Sequence, residues 1–193
     1  AEASEKVEQV LKRSPQNLSA YLLRAQWHLD DEEYEKSLAD FNHLFELRPN
    51  ALALYLKRSL VLQKMGRHAE EVADLSEILK RTSVDRPLER ASALNAVAYA
   101  RAVGNLEVAE ALKQIREAVK ISPDTSAILD TQAFVLYRMG ELTEAERVMN
   151  RALDLFEPEF KEQQEALAKA AKQTTRTGDR EATSKAVQRN AAV

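Results

Sequence analysis

The chain has no cysteine, only five prolines and four glycines in 193 residues, and no long apolar run. Without cysteine there is no disulfide frame, no thiolate nucleophile and no Cys-type zinc site, and the absence leaves the compartment open. No run reaches the roughly 18–20 apolar residues that span a bilayer, so no membrane insertion is expected. A basic excess is missing too. The 28 Lys and Arg against 31 Asp and Glu leave a formal net charge of -3, which gives no general pull toward nucleic acid, whose readers show a basic patch or stripe. No Gly-rich phosphate loop, G-x-S-x-G elbow or paired histidine motif occurs, so no catalytic constellation, cofactor or metal site is expected.

Hydrophobic residues make up 45% and charged residues 31%, the composition of a soluble folded chain. A cytoplasmic setting is the default, and an exported, periplasmic one is compatible with it. The chain starts at Ala1 without Met, which reads as a processed mature form or an excised fragment. No signal peptide can be read.

The positions of the few breakers carry the most information. The prolines stand at 15, 49, 87, 123 and 158, and the glycines at 66, 104, 140 and 178. Each of the first three glycines falls between two prolines, so the chain is punctuated about every 17 to 21 residues. A glycine just past a helix supplies the left-handed residue that commonly ends it, and a proline in a connection cannot continue the preceding helix. Antiparallel helix pairs follow, with Gly in the turn inside a pair and Pro in the turn between pairs. The phrases around Met65-Gly66 and Met139-Gly140 are then the same turn two repeats apart, and a period of this size indicates a solenoid.

The segments between breakers are helical in period. Leu38, Phe41, Leu44 and Phe45 recur at three- and four-residue intervals, and Leu112, Ile115, Ala118 and Val119 do the same. Such stripes bury against neighbouring helices, so each unit depends on the next. Small residues at Ala25, Ser59, Ala98 and Ala133 mark where the two helices of a pair approach each other.

These residues resemble the tetratricopeptide repeat, a helix-turn-helix unit of about 34 residues with the pattern W-x2-L-G-x2-Y, A-x3-F and a closing P. The first copy offers Tyr21, Ala25, Tyr34, Ser37, Phe41 and Pro49; the fourth offers Leu129, Ala133, Gly140, Ala145, Met149 and Ala152. The second carries Tyr55, Ser59, Gly66 and Leu75, with Glu71 where a small residue is usual. The third keeps Ala111, Ile115, Ala118 and Pro123, but Gly104 comes two residues early and its first helix begins before Ala91. The resemblance implies an all-α, right-handed helical-repeat solenoid of about eleven helices. Residues 1–15 form the second helix of an incomplete repeat. Repeats follow at 18–51, 52–84, 85–124 (longer and irregular) and 126–158, and 159–193 form a degenerate capping pair.

The resemblance also implies a concave face lined by the first helices of successive pairs. Carried over copy by copy, its positions are Leu22, Gln26 and Leu29, then Leu56, Leu60 and Gln63, then Asn95 and Tyr99, then Asp130, Phe134, Tyr137 and Arg138. Half of the apolar positions could equally pack between adjacent helices. Members that grip a partner's C-terminal carboxylate use lysines and asparagines here, and the lysines are missing, which favours a more apolar or mixed ligand.

Other candidates read as structure. His28, His43 and His68 form no metal-type pair and read as packing or surface residues; the acids of Leu29–Lys36 surround a turn and a helix start, where they favour the helix dipole. Trp27, the only tryptophan, reads as filling between repeats. The function this supports is a noncatalytic scaffold that binds a peptide or helix of a partner protein. Two alternatives are a regulatory or assembly segment of a larger protein and, less favoured by net acidity, a helical-repeat RNA reader. The N-terminal helix, lacking its own partner, predicts an upstream continuation or self-association through that end.

Overall fold

The computed structural model describes residues 2–158 and 160–161. These form α1 (Glu2–Arg13), α2 (Leu18–Asp30), α3 (Tyr34–Leu47), α4 (Leu52–Lys64), α5 (His68–Arg81), α6 (Pro87–Val103), α7 (Val108–Ile121) and α8 (Ser126–Arg138). A ninth helix, α9, covers 142–158, and 160–161 are again helical. No strand occurs among the described residues. Nine helices stand against the eleven expected; the missing pair would fall on 162–193, outside the described residues, as does Gly178.

Four turns share one hydrogen-bond pattern, which recurs at intervals of 34, 39 and 35 residues. The N–H groups of Glu33, Arg67, Leu106 and Glu141 each donate to the carbonyl five residues back, at 2.7, 2.9, 2.8 and 3.0 Å. One residue earlier, Glu32, Gly66, Asn105 and Gly140 donate to the carbonyl three residues back. This is the Schellman closure of a helix, which places its C′ residue in the left-handed region. Glu32, Gly66, Asn105 and Gly140 have φ of 60°, 68°, 53° and 82°.

The expectation that glycine fills that position therefore holds at Gly66 and Gly140 and needs correction at Gly104, whose φ is -73°. Its small size serves packing instead. A Cβ on Gly104 would lie 2.5 Å from His68 Cβ on α5. Asn105 takes the left-handed position, which a short polar side chain tolerates.

The prolines also divide. Pro15, Pro49 and Pro123 lie in connections between pairs, but Pro87 is the first residue of α6, where its missing N–H has no helical partner to lose. Pro158 is the last residue of the helical stretch 142–158. At the start of α2, Asn17 Oδ1 accepts from the Ala20 N–H at 2.9 Å, a side-chain N-cap.

Pairs α2/α3, α4/α5 and α6/α7 pack face to face, and α3/α4, α5/α6 and α7/α8 join them in series. The small residues sit where the backbones meet: Ala25 and Ala98 are fully buried, and Ser59 and Ala133 nearly so. Ser37 Oγ donates to the Ala25 carbonyl at 2.7 Å, an approach that a larger residue at either position would prevent. One core cluster joins α6 to α9 through Leu94, Ala98, Ile115, Leu129 and Val148; another joins α2 to α4 through Phe41, Leu44 and Val61. At the N-terminal end, Val7 and Leu11 of α1 pack with Ala20, Tyr21 and Trp27, so the tryptophan fills the junction between α1 and α2.

Candidate functional site: a cleft across helices six, eight and nine

Helix α8 is apolar on most of its circumference. Ile128, Leu129, Ala133, Val135 and Leu136 are buried, which leaves Asp130, Phe134 and Tyr137 at four- and three-residue steps along one remaining stripe. Tyr99 on α6 reaches this stripe: its ring lies 5.9 Å from that of Phe134, tilted by 41°, within the range of favourable aromatic pairs. From the other side α9 contributes Leu142, Glu146 and Met149, again one helical stripe, and Ala133 and Ala145 form the close-packed floor.

The result is a cleft of about 500 Å³, a size typical of ligand recesses. Its walls are chiefly aromatic and aliphatic, and Tyr137 and Leu142 are about 60% exposed at its mouth. Asp130 and Glu146 are both exposed.

The structure brings four of the twelve expected groove residues into this cleft: Tyr99, Asp130, Phe134 and Tyr137. Arg138 is exposed on the last turn of α8 but does not line it. The α2 and α4 positions have other surroundings. Leu22 and Leu29 pack against the α2–α4 core, and Gln26 donates to Asp30 Oδ1 at 2.8 Å. Leu56 and Leu60 are half exposed on α4. Gln63 is drawn inward and donates to Glu71 Oε1 at 3.1 Å. Asn95 is half-buried, and its Oδ1 has no hydrogen-bond partner. The α9 residues of the cleft were not expected, although Leu142, Glu146 and Met149 lie at helical spacing in the sequence; the family pattern directs attention to first helices alone.

All three histidines pair with a glutamate. His28 Nδ1 lies 2.6 Å from Glu33 Oε2, His43 Nδ1 3.1 Å from Glu46 Oε2, and His68 Nδ1 2.9 Å from Glu71 Oε2. Hydrogen bonds from Lys36 and then His28 hold the Glu33 carboxyl below its ordinary range. Glu71, the exception at a small-residue position, is 2% exposed, and its two oxygens are taken up by Gln63 and His68.

Paired antiparallel helices in series, closed by one recurring turn, define a helical-repeat solenoid. The chain is tetratricopeptide-like in both sequence and fold. It is 29% identical over 156 residues, 80% of its own length, to a TPR repeat-containing protein of Pseudomonas aeruginosa, of which it spans 26%. In fold it resembles MamA of Desulfovibrio magneticus, with a TM-score of 0.68 and 15% identity over 81% of this chain and 85% of that one. It also resembles a tetratricopeptide repeat protein of Parabacteroides merdae, with a TM-score of 0.61 and 19% identity over 79% and 57%. A third likeness is to PilW, a type IV pilus biogenesis factor, with a TM-score of 0.64 and 17% identity over 81% and 70%. No family model matches the chain.

Proposed function

We propose that the chain is a noncatalytic scaffold that receives a peptide or helix of a partner protein on the face formed by α2, α4, α6 and α8, anchored in the cleft at α6, α8 and α9. In this reading the repeats run 18–51, 52–84, 85–124 and 126–158, and the twelve groove positions contribute unequally, with Tyr99, Phe134 and Tyr137 foremost. The observation that carries it is the Tyr99–Phe134 ring pair opening beside the exposed Tyr137. Aromatic side chains in a concave apolar recess are the usual anchors of binding energy. The carboxylates Asp130 and Glu146 at the same cleft disfavour a polyanion such as RNA.

The test places a photo-reactive residue at position 137 in the full chain, with one at Lys113 on α7 as a control. Partner capture from a native extract is expected at 137 and lost in Tyr99→Ala/Phe134→Ala. Capture that is equal at 113 and indifferent to the double substitution overturns the reading.

A second reading makes this scaffold the assembly or regulatory segment of a longer protein. It is favoured by the coverage, since the chain spans about a quarter of the relative it matches, and the length of the native reading frame decides it.

A further inference from the structure

The cleft has a charge as well as a shape. Many exposed acids of the repeats are joined to cations of their own chain: Glu70 to Arg67, Glu110 to Lys113, Glu117 to Arg90, Glu144 to Arg147 and Asp124 to Arg151. Asp130 and Glu146 meet no cation among the described residues, although each is exposed and each lines the cleft. They come from different helices, α8 and α9, and flank the apolar stripes: Asp130 precedes Phe134 by one turn, and Glu146 follows Leu142 by one turn. Arg138, the basic residue near the cleft on α8, does not line it.

We infer that the cleft selects a cationic apolar segment, in which an aliphatic or aromatic side chain enters between Phe134, Tyr137 and Leu142 while a neighbouring lysine or arginine meets Asp130 or Glu146. This rests on the reading of the cleft as the partner site and adds the chemistry of the partner. An apolar anchor desolvates the site, and a cation beside it gains from two carboxylates that have no cation partner among the described residues and from the faces of Tyr99 and Tyr137. A segment with acidic flanks meets like charge at the same distance and is rejected, so the carboxylates act as a sign filter on an otherwise permissive apolar recess.

The test pans a random twelve-residue display library on the full chain and measures the affinity of the enriched peptides. Enrichment of Lys or Arg beside Leu, Ile, Met or Phe is expected. Asp130→Asn/Glu146→Gln, checked for an unchanged circular dichroism spectrum, is expected to weaken the peptides about tenfold and to flatten their salt dependence. Peptides without basic residues, or no enrichment at all, overturn the inference. Affinity unchanged in the double amide variant but lost in Phe134→Ala overturns the charge preference and leaves the cleft as the site; affinity unchanged in Phe134→Ala overturns the site itself. Binding seen only after removal of 162–193 makes that segment the occupant and overturns the inference as well.

Discussion

Arg24 grips Asp40 with two parallel hydrogen bonds, Nε to Oδ2 at 2.9 Å and Nη2 to Oδ1 at 2.6 Å, and 34 residues later Arg58 grips Asp74 in the same way at 2.8 and 2.6 Å. The third arm repeats too. Arg24 Nη1 donates to Glu8 of α1 at 2.7 Å, and Arg58 Nη1 donates to Asn42 of α3 at 2.9 Å. Each arginine thus ties its own helix to the one that follows and to the one that precedes it. The contact with Asp40, offset in part by burial and assisted by Glu8, raises the Arg24 pKa above its ordinary value, so the guanidinium stays charged at any working pH.

Unequal burial makes the clamp asymmetric under mutation. The Asp74 side chain is 5% exposed, whereas that of Arg58 is 23% exposed. Arg58→Ala leaves a buried carboxylate without its cation and is expected to cost about 3 kcal/mol. Asp74→Ala leaves an arginine that can turn toward water and is expected to cost about 1–2 kcal/mol. Chemical denaturation of the two variants checks the order, and equal losses would contradict it.

In the later repeats the corresponding positions are Val97 with Gln114 and Gln132 with Val148. Val97 is fully buried and Val148 nearly so, so neither position pair carries the ionic clamp, and Gln114 instead accepts from Arg101 Nη1 at 2.9 Å. The interval of 34 between Arg24 and Arg58, and between Asp40 and Asp74, is visible in the sequence. That the two series meet is not, because a pairing between helices depends on which faces cross. The Pro and Gly ladder was legible for a different reason: backbone rules act locally, and a helix end needs only its own turn. The same local reasoning misjudged Gly104, because what excludes a side chain there is His68 on another helix. Glu71 looked like a defect for the same reason, since its partners His68 and Gln63 lie across the pair.

Two glycines should therefore fail differently. Gly66→Ala forces a Cβ into the left-handed region with open space around it, and is expected to cost about 1–2 kcal/mol whatever surrounds it. Gly104→Ala has no such strain but drives its Cβ against His68 Cβ, at about 1–3 kcal/mol. His68→Ala keeps the offending Cβ and should not relieve it, whereas His68→Gly should. A double-mutant cycle on thermal stability separates the two mechanisms.

The floor and the mouth of the cleft should also separate. Ala133 is 2% exposed at the α8–α9 crossing, and Ala133→Leu is expected to overpack it at about 1–3 kcal/mol. Tyr137 is 61% exposed, and Tyr137→Ala should leave stability within about 0.5 kcal/mol of the parent. A Tyr137→Ala variant that melts as early as Ala133→Leu would make Tyr137 a packing residue and remove it from the site.

Helix α1 provides the last test, because the only tryptophan reports on it. Val7 and Leu11 are each 7% exposed, and Trp27 packs against the cluster they form with Ala20. Deleting 1–13 removes these contacts and the Glu8 arm of the Arg24 clamp. The apolar loss alone is expected to lower stability by about 3 kcal/mol, and Trp27 emission should shift to the red as water reaches the ring. The outer face of α1 carries Val10, which is 40% exposed. Exposed apolar surface tends to find another chain, so the 193-residue chain is expected to self-associate through Val10 with rising concentration in sedimentation, and Val10→Glu to suppress this without moving Trp27 emission. A chain that stays monomeric while the deletion still shifts the tryptophan makes α1 an integral part of the stack and refutes its role as a contact between copies.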